Sequence, residues 1–213
     1  MFCAIIAVVD PVSYPRTTSY LRRLPAGLLS HPQCESKASI YREALRSLPR
    51  PLEVDSLDPL LADYVRDPLP MSSWVPEVVN TALYLTMADQ VFKEDDAFLA
   101  WVSDFSQRVF EAPMYRLLMA VASPERLANG GQRRWANFHT GVDYEITVGA
   151  EGTRSRFEFP LYLYDSLALR ATLKAIEAAY RASGAKNARA ELLAITPTSA
   201  DFRILWYPER TGT

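Results

Sequence analysis

The side chains that could do chemistry are few: two histidines, two cysteines and a spread of carboxylates along 213 residues. His31 and Cys34 stand at H-x-x-C spacing and offer two metal ligands, but a closed zinc site takes four and the sequence holds no second pair. As a nucleophile and base the same two lack a third group to orient them, and Glu35 would raise the thiol pKa, not lower it. A surface loop is the expectation there. Glu94, Asp95 and Asp96 have neither the turning glycine nor the bidentate glutamate of a calcium loop, so they read as helix capping. The sequence contains no G-x-S-x-G elbow, phosphate-cradling loop or dinucleotide fingerprint, and Gly130-Gly131 does not replace one. The expectation is no catalytic set, no metal, no cofactor and no enzyme.

His139 follows Trp135 and Phe138 near the end of an apolar run and could reach a cofactor as an axial ligand. A histidine at a helix C-terminus also satisfies free carbonyls and interacts well with the helix dipole, which is the expected role. Trp74, Trp101, Trp135 and Trp206, with Phe98, Phe105, Phe138 and Phe202, fall on faces that read as buried, so core packing accounts for most of them. From these, Trp101, Phe105, Trp135, Phe138 and His139 are the candidates for a pocket between helices and sheet that takes a small hydrophobic ligand. Arg133 and Arg134, with Arg154 and Arg156, could form a basic rim for a partner's carboxylates, and the first two are the partner-binding candidates.

The elements that must position these residues follow from composition and spacing. Apolar residues make up 49% of the chain, and 23 basic against 25 acidic residues leave a net charge of −2. That is too apolar for general disorder, and the charge attracts no phosphate backbone, so nucleic acid is excluded as an expected partner. The apolar stretch Met1 to Val9 is too short for a membrane span and lacks a basic leader, so it reads as a strand. Two cysteines are too few for a disulfide framework, and a reducing cytoplasm is the expected location.

Nine prolines break residues 1–70 into short pieces, an N-terminal arm with docking helices over Ser36 to Leu48 and around Leu57, Leu60, Leu61 and Tyr64. Residues 71–213 read as the main α+β domain. Ser72 or Ser73 is expected to cap a largely buried helix from Val75 to Thr86, with Pro76 in its first turn. Asp95 or Asp96 caps the next helix, through Phe98, Trp101, Val102, Phe105 and Val109, and a short helix follows Pro113 through Tyr115, Leu118 and Met119. After the Ser123-Pro124 start, a helix either continues to about His139 across the double glycine or breaks at Asn129 and restarts. The period then becomes two: a hairpin from Val142 to Leu161, a helix capped by Asp165 or Ser166 and stopped at Gly184, then strands over Ala188 to Thr196 and Asp201 to Tyr207. The fold class is therefore α+β, with N-terminal helices packed on a C-terminal antiparallel sheet of order strand-strand-helix-strand-strand.

Several strings in this arrangement resemble a family of uncharacterised proteins found mainly in myxobacteria, a domain of unknown function. They are Lys37-Ala38-Ser39-Ile40-Tyr41-Arg42 with Leu48-Pro49, Ser73-Trp74-Val75-Pro76, Ala122-Ser123-Pro124 with Trp135 and Gly141, and Phe202-Arg203-Ile204-Leu205-Trp206. Helices followed by a split antiparallel sheet also look like the wider superfamily of haem-nitric-oxide-binding-like, vinyl-4-reductase-like and transport-particle domains. The resemblance implies a sensor, scaffold or adaptor, in which a space between helices and sheet can hold an aromatic, an acyl chain or haem. The haem-binding relatives carry a Tyr-x-Ser-x-Arg motif. Tyr164-Asp165-Ser166-Leu167-Ala168 matches its first two polar positions and has Ala168 in place of the arginine, so the propionate clamp is absent. The expected function is a non-enzymatic regulatory or adaptor protein acting on a protein partner, with a small hydrophobic-ligand or lipid sensor as the alternative. A homodimer is left open by the proline-rich arm, which could pack on its own domain or exchange with a neighbour.

Overall fold

Prolines and short polar side chains set where the helices start. In the computed structural model, which describes residues 12–112, 123–149, 152–185 and 187–206, the helices are α1 (Pro15–Arg23), α2 (Ala38–Ser47), α3 (Pro59–Arg66), α4 (Glu77–Met87), α5 (Asp95–Glu111), α6 (Pro124–Asn129), α7 (Gly131–Ala136) and α8 (Ser166–Ala182). The strands are β1 (Glu35–Lys37), β2 (Trp74–Pro76), β3 (His139–Thr140), β4 (Asp143–Val148), β5 (Gly152–Glu158), β6 (Arg189–Ile195) and β7 (Ser199–Leu205). α1, α3 and α6 open on proline, whose missing N–H is one that a first turn cannot bond anyway. Asp58 Oδ1 accepts from Leu60 N at 2.9 Å, Ser123 Oγ from Arg126 N at 3.3 Å and Asp165 Oδ1 from Leu167 N at 2.8 Å, so the starts of α3, α6 and α8 are capped. The Met1–Val9 stretch and the helix expected through Tyr115, Leu118 and Met119 lie outside the described residues.

The chain forms two compact units, the first made of Met1–Phe98, His139–Gly141 and Leu161–Ala168, the second of Leu99–Phe138, Val142–Pro160 and Leu169–Thr213. A small antiparallel sheet of order β2-β1-β3 lies in the first unit, with Ser36 opposite both Val75 and His139. This pairing corrects one expectation: Trp74–Pro76 are taken into the sheet, so the next helix begins at Glu77 and Ser72 and Ser73 do not cap it. Lys37 points away from the inward Ser36 and sets its ammonium 3.7 Å from the Trp74 ring centroid. α4 is buried nearly all round, as its run of apolar residues requires.

α4 continues into one π turn over Ala88–Phe92, which carries Asp89 beneath the start of α1. Tyr14 precedes α1 without a capping side chain, and Asp89 supplies the missing acceptor from a distant part of the chain. Asp89 Oδ2 accepts from Thr17 N and Thr17 Oγ1, both at 3.0 Å, and Oδ1 from Arg16 N at 3.3 Å and Arg16 Nη1 at 3.1 Å. Arg16 also reaches Asp95 and the Lys93 carbonyl. Asp95 and Asp96 lie inside the first turn of α5, with Asp95 engaged by Arg16. Tyr20 on α1 donates to the Leu163 carbonyl at 2.6 Å.

The second unit is built on an antiparallel sheet of order β4-β5-β7-β6, the strand-strand-helix-strand-strand arrangement read from the alternation. One face carries Tyr144 opposite Phe157 and Ser155 opposite Phe202, and the other carries Glu145 opposite Arg156 and Arg154 opposite Arg203. Phe157, Phe202 and Ile204 are fully buried on the inner face. Pro160 falls after the end of β5, which is an interior strand rather than an edge. α6 and α7 pack on β4, where Gly131 allows close approach: a Cβ there would come 3.1 Å from Ile146 Cδ1. The helix therefore breaks at Gly130 and ends at Ala136, and His139 stands on a strand instead of at a helix C-terminus. In α8 the buried Glu177 holds Lys174, Arg181 and the Ala190 N–H, the last at 3.0 Å. Among the described residues no helix is long and apolar enough to cross a membrane.

Candidate functional site

Glu77 is the first residue of α4 and directly follows Pro76, whose ring ends β2 and leaves the chain extended. Its own N–H donates to the Cys34 carbonyl at 2.8 Å, which aims the side chain into the first unit. There the carboxylate is only 2% exposed, and it meets the imidazole of His139, itself 10% exposed, with Nδ1 3.1 Å from Oε2. β1 brings Ser36 and β3 brings His139 to the same inward row, so three separated stretches of sequence converge on one acid.

Burial works against the charged form of Glu77, yet the charge and hydrogen bond of His139, with the Ser36 hydroxyl and the Asn80 side chain close by, outweigh it and hold the carboxyl below its ordinary range. The hydroxyls around it respond the opposite way. Burial pushes the Tyr164 phenol well up, reinforced by Glu77, and raises Tyr84 and Tyr20 likewise. Burial followed by Glu77 also pushes the Cys34 thiol up to about 11. Cys34 is thus a buried group whose Sγ donates to the Gly141 carbonyl at 3.1 Å, not a residue of a surface loop, and the acid that raises it is Glu77, not Glu35. His31, at φ 52°, places Nε2 2.9 Å from the Leu161 carbonyl. Among the described residues, no three His, Cys, Asp or Glu side chains come together as a metal site.

Chemically, the pair is a carboxylate that fixes the orientation of an imidazole through Nδ1. Gly141 completes the fit: at φ +70° its position leaves no room for a side chain, since a Cβ would lie 2.6 Å from the Gln33 carbonyl and 2.8 Å from Cys34 Sγ. Glu77, Asn80 and Ser36 were not singled out by sequence reasoning. The available signal was Glu77 and Asn80, three apart on one face of a mostly apolar helix.

The pocket and partner candidates fall in several places. Trp101 and Phe105 on α5 have ring centroids 4.7 Å apart. Trp135 on α7 lies 4.5 Å from Phe157 and 5.8 Å from Tyr144, part of an aromatic group completed by Phe202. Phe138, past the end of α7, is 42% exposed, and His139 belongs to the first unit. Arg134 turns back to donate to the Arg126 and Leu127 carbonyls at 2.9 and 3.1 Å, while Arg133 is exposed. Arg156 is engaged by Glu158 and Asp201.

Helices followed by this antiparallel sheet define the class: an α+β protein that resembles the H-NOX fold. An alanine-to-glycine mutant of an Fe(II) unliganded H-NOX protein from K. algicida matches with a TM-score of 0.52 at 15% identity, over 82% of this chain and 98% of that one. The Fe(II) unliganded H-NOX protein from the same source gives 0.47 at 13% identity, over 83% and 100%. The likeness is one of fold, consistent with the haem-nitric-oxide-binding-like resemblance read from the sequence. No family model and no curated protein matches the chain, so the likeness to the myxobacterial family stands on the sequence strings alone.

Proposed function

We propose that the protein is a sensor domain that binds a small hydrophobic ligand. The observation that carries this reading is the H-NOX-like fold, which spans nearly all of its structural neighbour. This support favours the ligand-sensing alternative over an adaptor acting through protein contacts alone. Fold by itself does not fix chemistry, so the ligand class has to come from the residues.

Those residues do not fit haem. Both histidines of the chain are bonded through one ring nitrogen, His31 through Nε2 to the Leu161 carbonyl and His139 through Nδ1 to Glu77, so the misfit lies at the propionate end. Ala168, where the related motif carries arginine, is buried in the first turn of α8 and supplies no cation for a propionate. What the second unit does offer is an aromatic group in which Phe157 and Phe202 are buried and Trp135 and Tyr144 half-buried, chemistry suited to a flat aromatic or an acyl chain.

A thermal-shift series with aromatic acids, fatty acids and haem tests the reading. A ligand that binds only the folded state adds about 2.7 kcal/mol at a hundred times its Kd, a shift of several degrees. An aromatic or acyl compound is expected to raise Tm, and Trp135→Ala to reduce that rise. A rise with haem alone would overturn the ligand class, and no rise with any of them would overturn the sensor.

A further inference from the structure

We propose that the loops at Leu29 and Leu161 form a docking face for an anionic lipid surface. Leu29 ends a single 3₁₀ turn (Gly27–Leu29) after α1 and is 70% exposed. Leu161 stands ahead of α8 and is 48% exposed, so each loop holds a large aliphatic side chain in water. Both belong to the first unit, and their loops are tied together where His31 Nε2 lies 2.9 Å from the Leu161 carbonyl. Two residues at this tie take left-handed backbone conformations, His31 at φ 52° and Tyr162 at φ 60°. Such a conformation is costly for a residue with a Cβ and persists where neighbouring contacts fix it. Here Cys34 N donates to the His31 carbonyl at 2.9 Å and Tyr20 to the Leu163 carbonyl at 2.6 Å. The loops that carry the exposed leucines are therefore held in place, not loose.

Charge selects the occupant. Residues 11–34 include three arginines and no aspartate or glutamate. Arg16 is engaged by Asp89 and Asp95. Arg23 pairs with Asp165, the acid nearest Leu161 in sequence, and its guanidinium lies 5.9 Å from the Tyr162 ring centroid. Arg22, exposed in the last turn of α1, is bonded to no acid among the described residues. The face thus combines two exposed leucines, a partly exposed tyrosine and positive charge that no carboxylate cancels. Those are the parts of an interfacial anchor: aliphatic groups enter the acyl boundary, a tyrosine ring sits at headgroup level, and long arginine side chains keep their charge among the phosphates. A bilayer accepts aliphatic groups carried on separate turns without a matching pocket, and its anionic headgroups complement Arg22, so lipid fits this face better than an acidic protein does. With so few groups, the attachment is weak and reversible.

Co-sedimentation of the full chain with sucrose-loaded vesicles tests the face. Vesicles of roughly two parts phosphatidylcholine to one part phosphatidylserine should bind the protein at low salt, and phosphatidylcholine alone at least about tenfold less well. Leu29→Ser combined with Leu161→Ser should weaken binding to the phosphatidylserine vesicles at least about tenfold, and Arg22→Gln about fivefold. Leu193→Ser, at a leucine 47% exposed in the second unit, should leave binding unchanged. The substituted side chains are exposed, and the Leu161 group that bonds His31 is main chain, so an unchanged circular dichroism spectrum is expected in every variant. No binding to phosphatidylserine vesicles, equal binding to phosphatidylcholine, a double variant that binds like wild type, or a Leu193→Ser loss as large as that of the double variant would each overturn the proposal. Capture by polyglutamate that exceeds capture by vesicles and survives the leucine changes would assign the face to an acidic protein, and would overturn it too.

Discussion

Replacing Asp89 with asparagine should be among the most damaging single-atom changes in the protein. Its side chain is 0% exposed and four donors converge on it, two from Arg16 and two from Thr17. Asparagine keeps one acceptor oxygen and presents an NH2 where the other stood, so one pair of donors then faces a donor. Hydrogen bonds to a charged group contribute roughly 1.5–3 kcal/mol each, and removing one side of a buried ion pair costs about 3–5 kcal/mol. Because Arg16 is partly solvated and retains Asp95, the lower end applies, about 3 kcal/mol. Urea unfolding followed by circular dichroism should show a lower midpoint with an unchanged slope. Asp95→Asn, at a side chain 41% exposed, is the control and should cost under about 1 kcal/mol. An Asp89→Asn loss as small as that of the control would refute the claim that α1 is capped from the π turn.

Three further outcomes follow from the same contacts. Gly141→Ala should destabilise by more than about 2 kcal/mol, because φ +70° and a Cβ 2.6 Å from the Gln33 carbonyl both oppose it; a urea midpoint near wild type would contradict this. Cys34, with a thiol pushed up to about 11, should alkylate at least about a hundredfold more slowly than a free cysteine near pH 8, with a rate rising as pH climbs toward 11; peptide mapping would expose the contrary. Tyr20→Phe should cost about 1–2 kcal/mol by leaving the Leu163 carbonyl without its donor, read from the same unfolding curves.

The larger sheet was legible because its first strand alternates, with Tyr144 and Ile146 inward and Glu145 and Thr147 outward. Ser123, Asp165 and the early prolines likewise marked helix starts by local chemistry. The smaller sheet was not legible: strands of two or three residues carry no period, and β1 gains its partners from residues about 40 and 100 positions away. That loss propagated to the site, since Ser36 and His139 meet only through this pairing. Glu77 was hidden for a related reason, because its Pro76 neighbour reads as a first-turn proline until β2 claims it.

The central claim, a small hydrophobic ligand held by an H-NOX-like fold, is tested most directly by native and denaturing mass spectra of freshly purified protein taken side by side. The account predicts a native mass in excess of the chain by a ligand-sized amount, lost on denaturation and reduced in Trp135→Ala. A native mass equal to the chain or its integer multiple, unchanged after incubation with aromatic and acyl ligands, would contradict it.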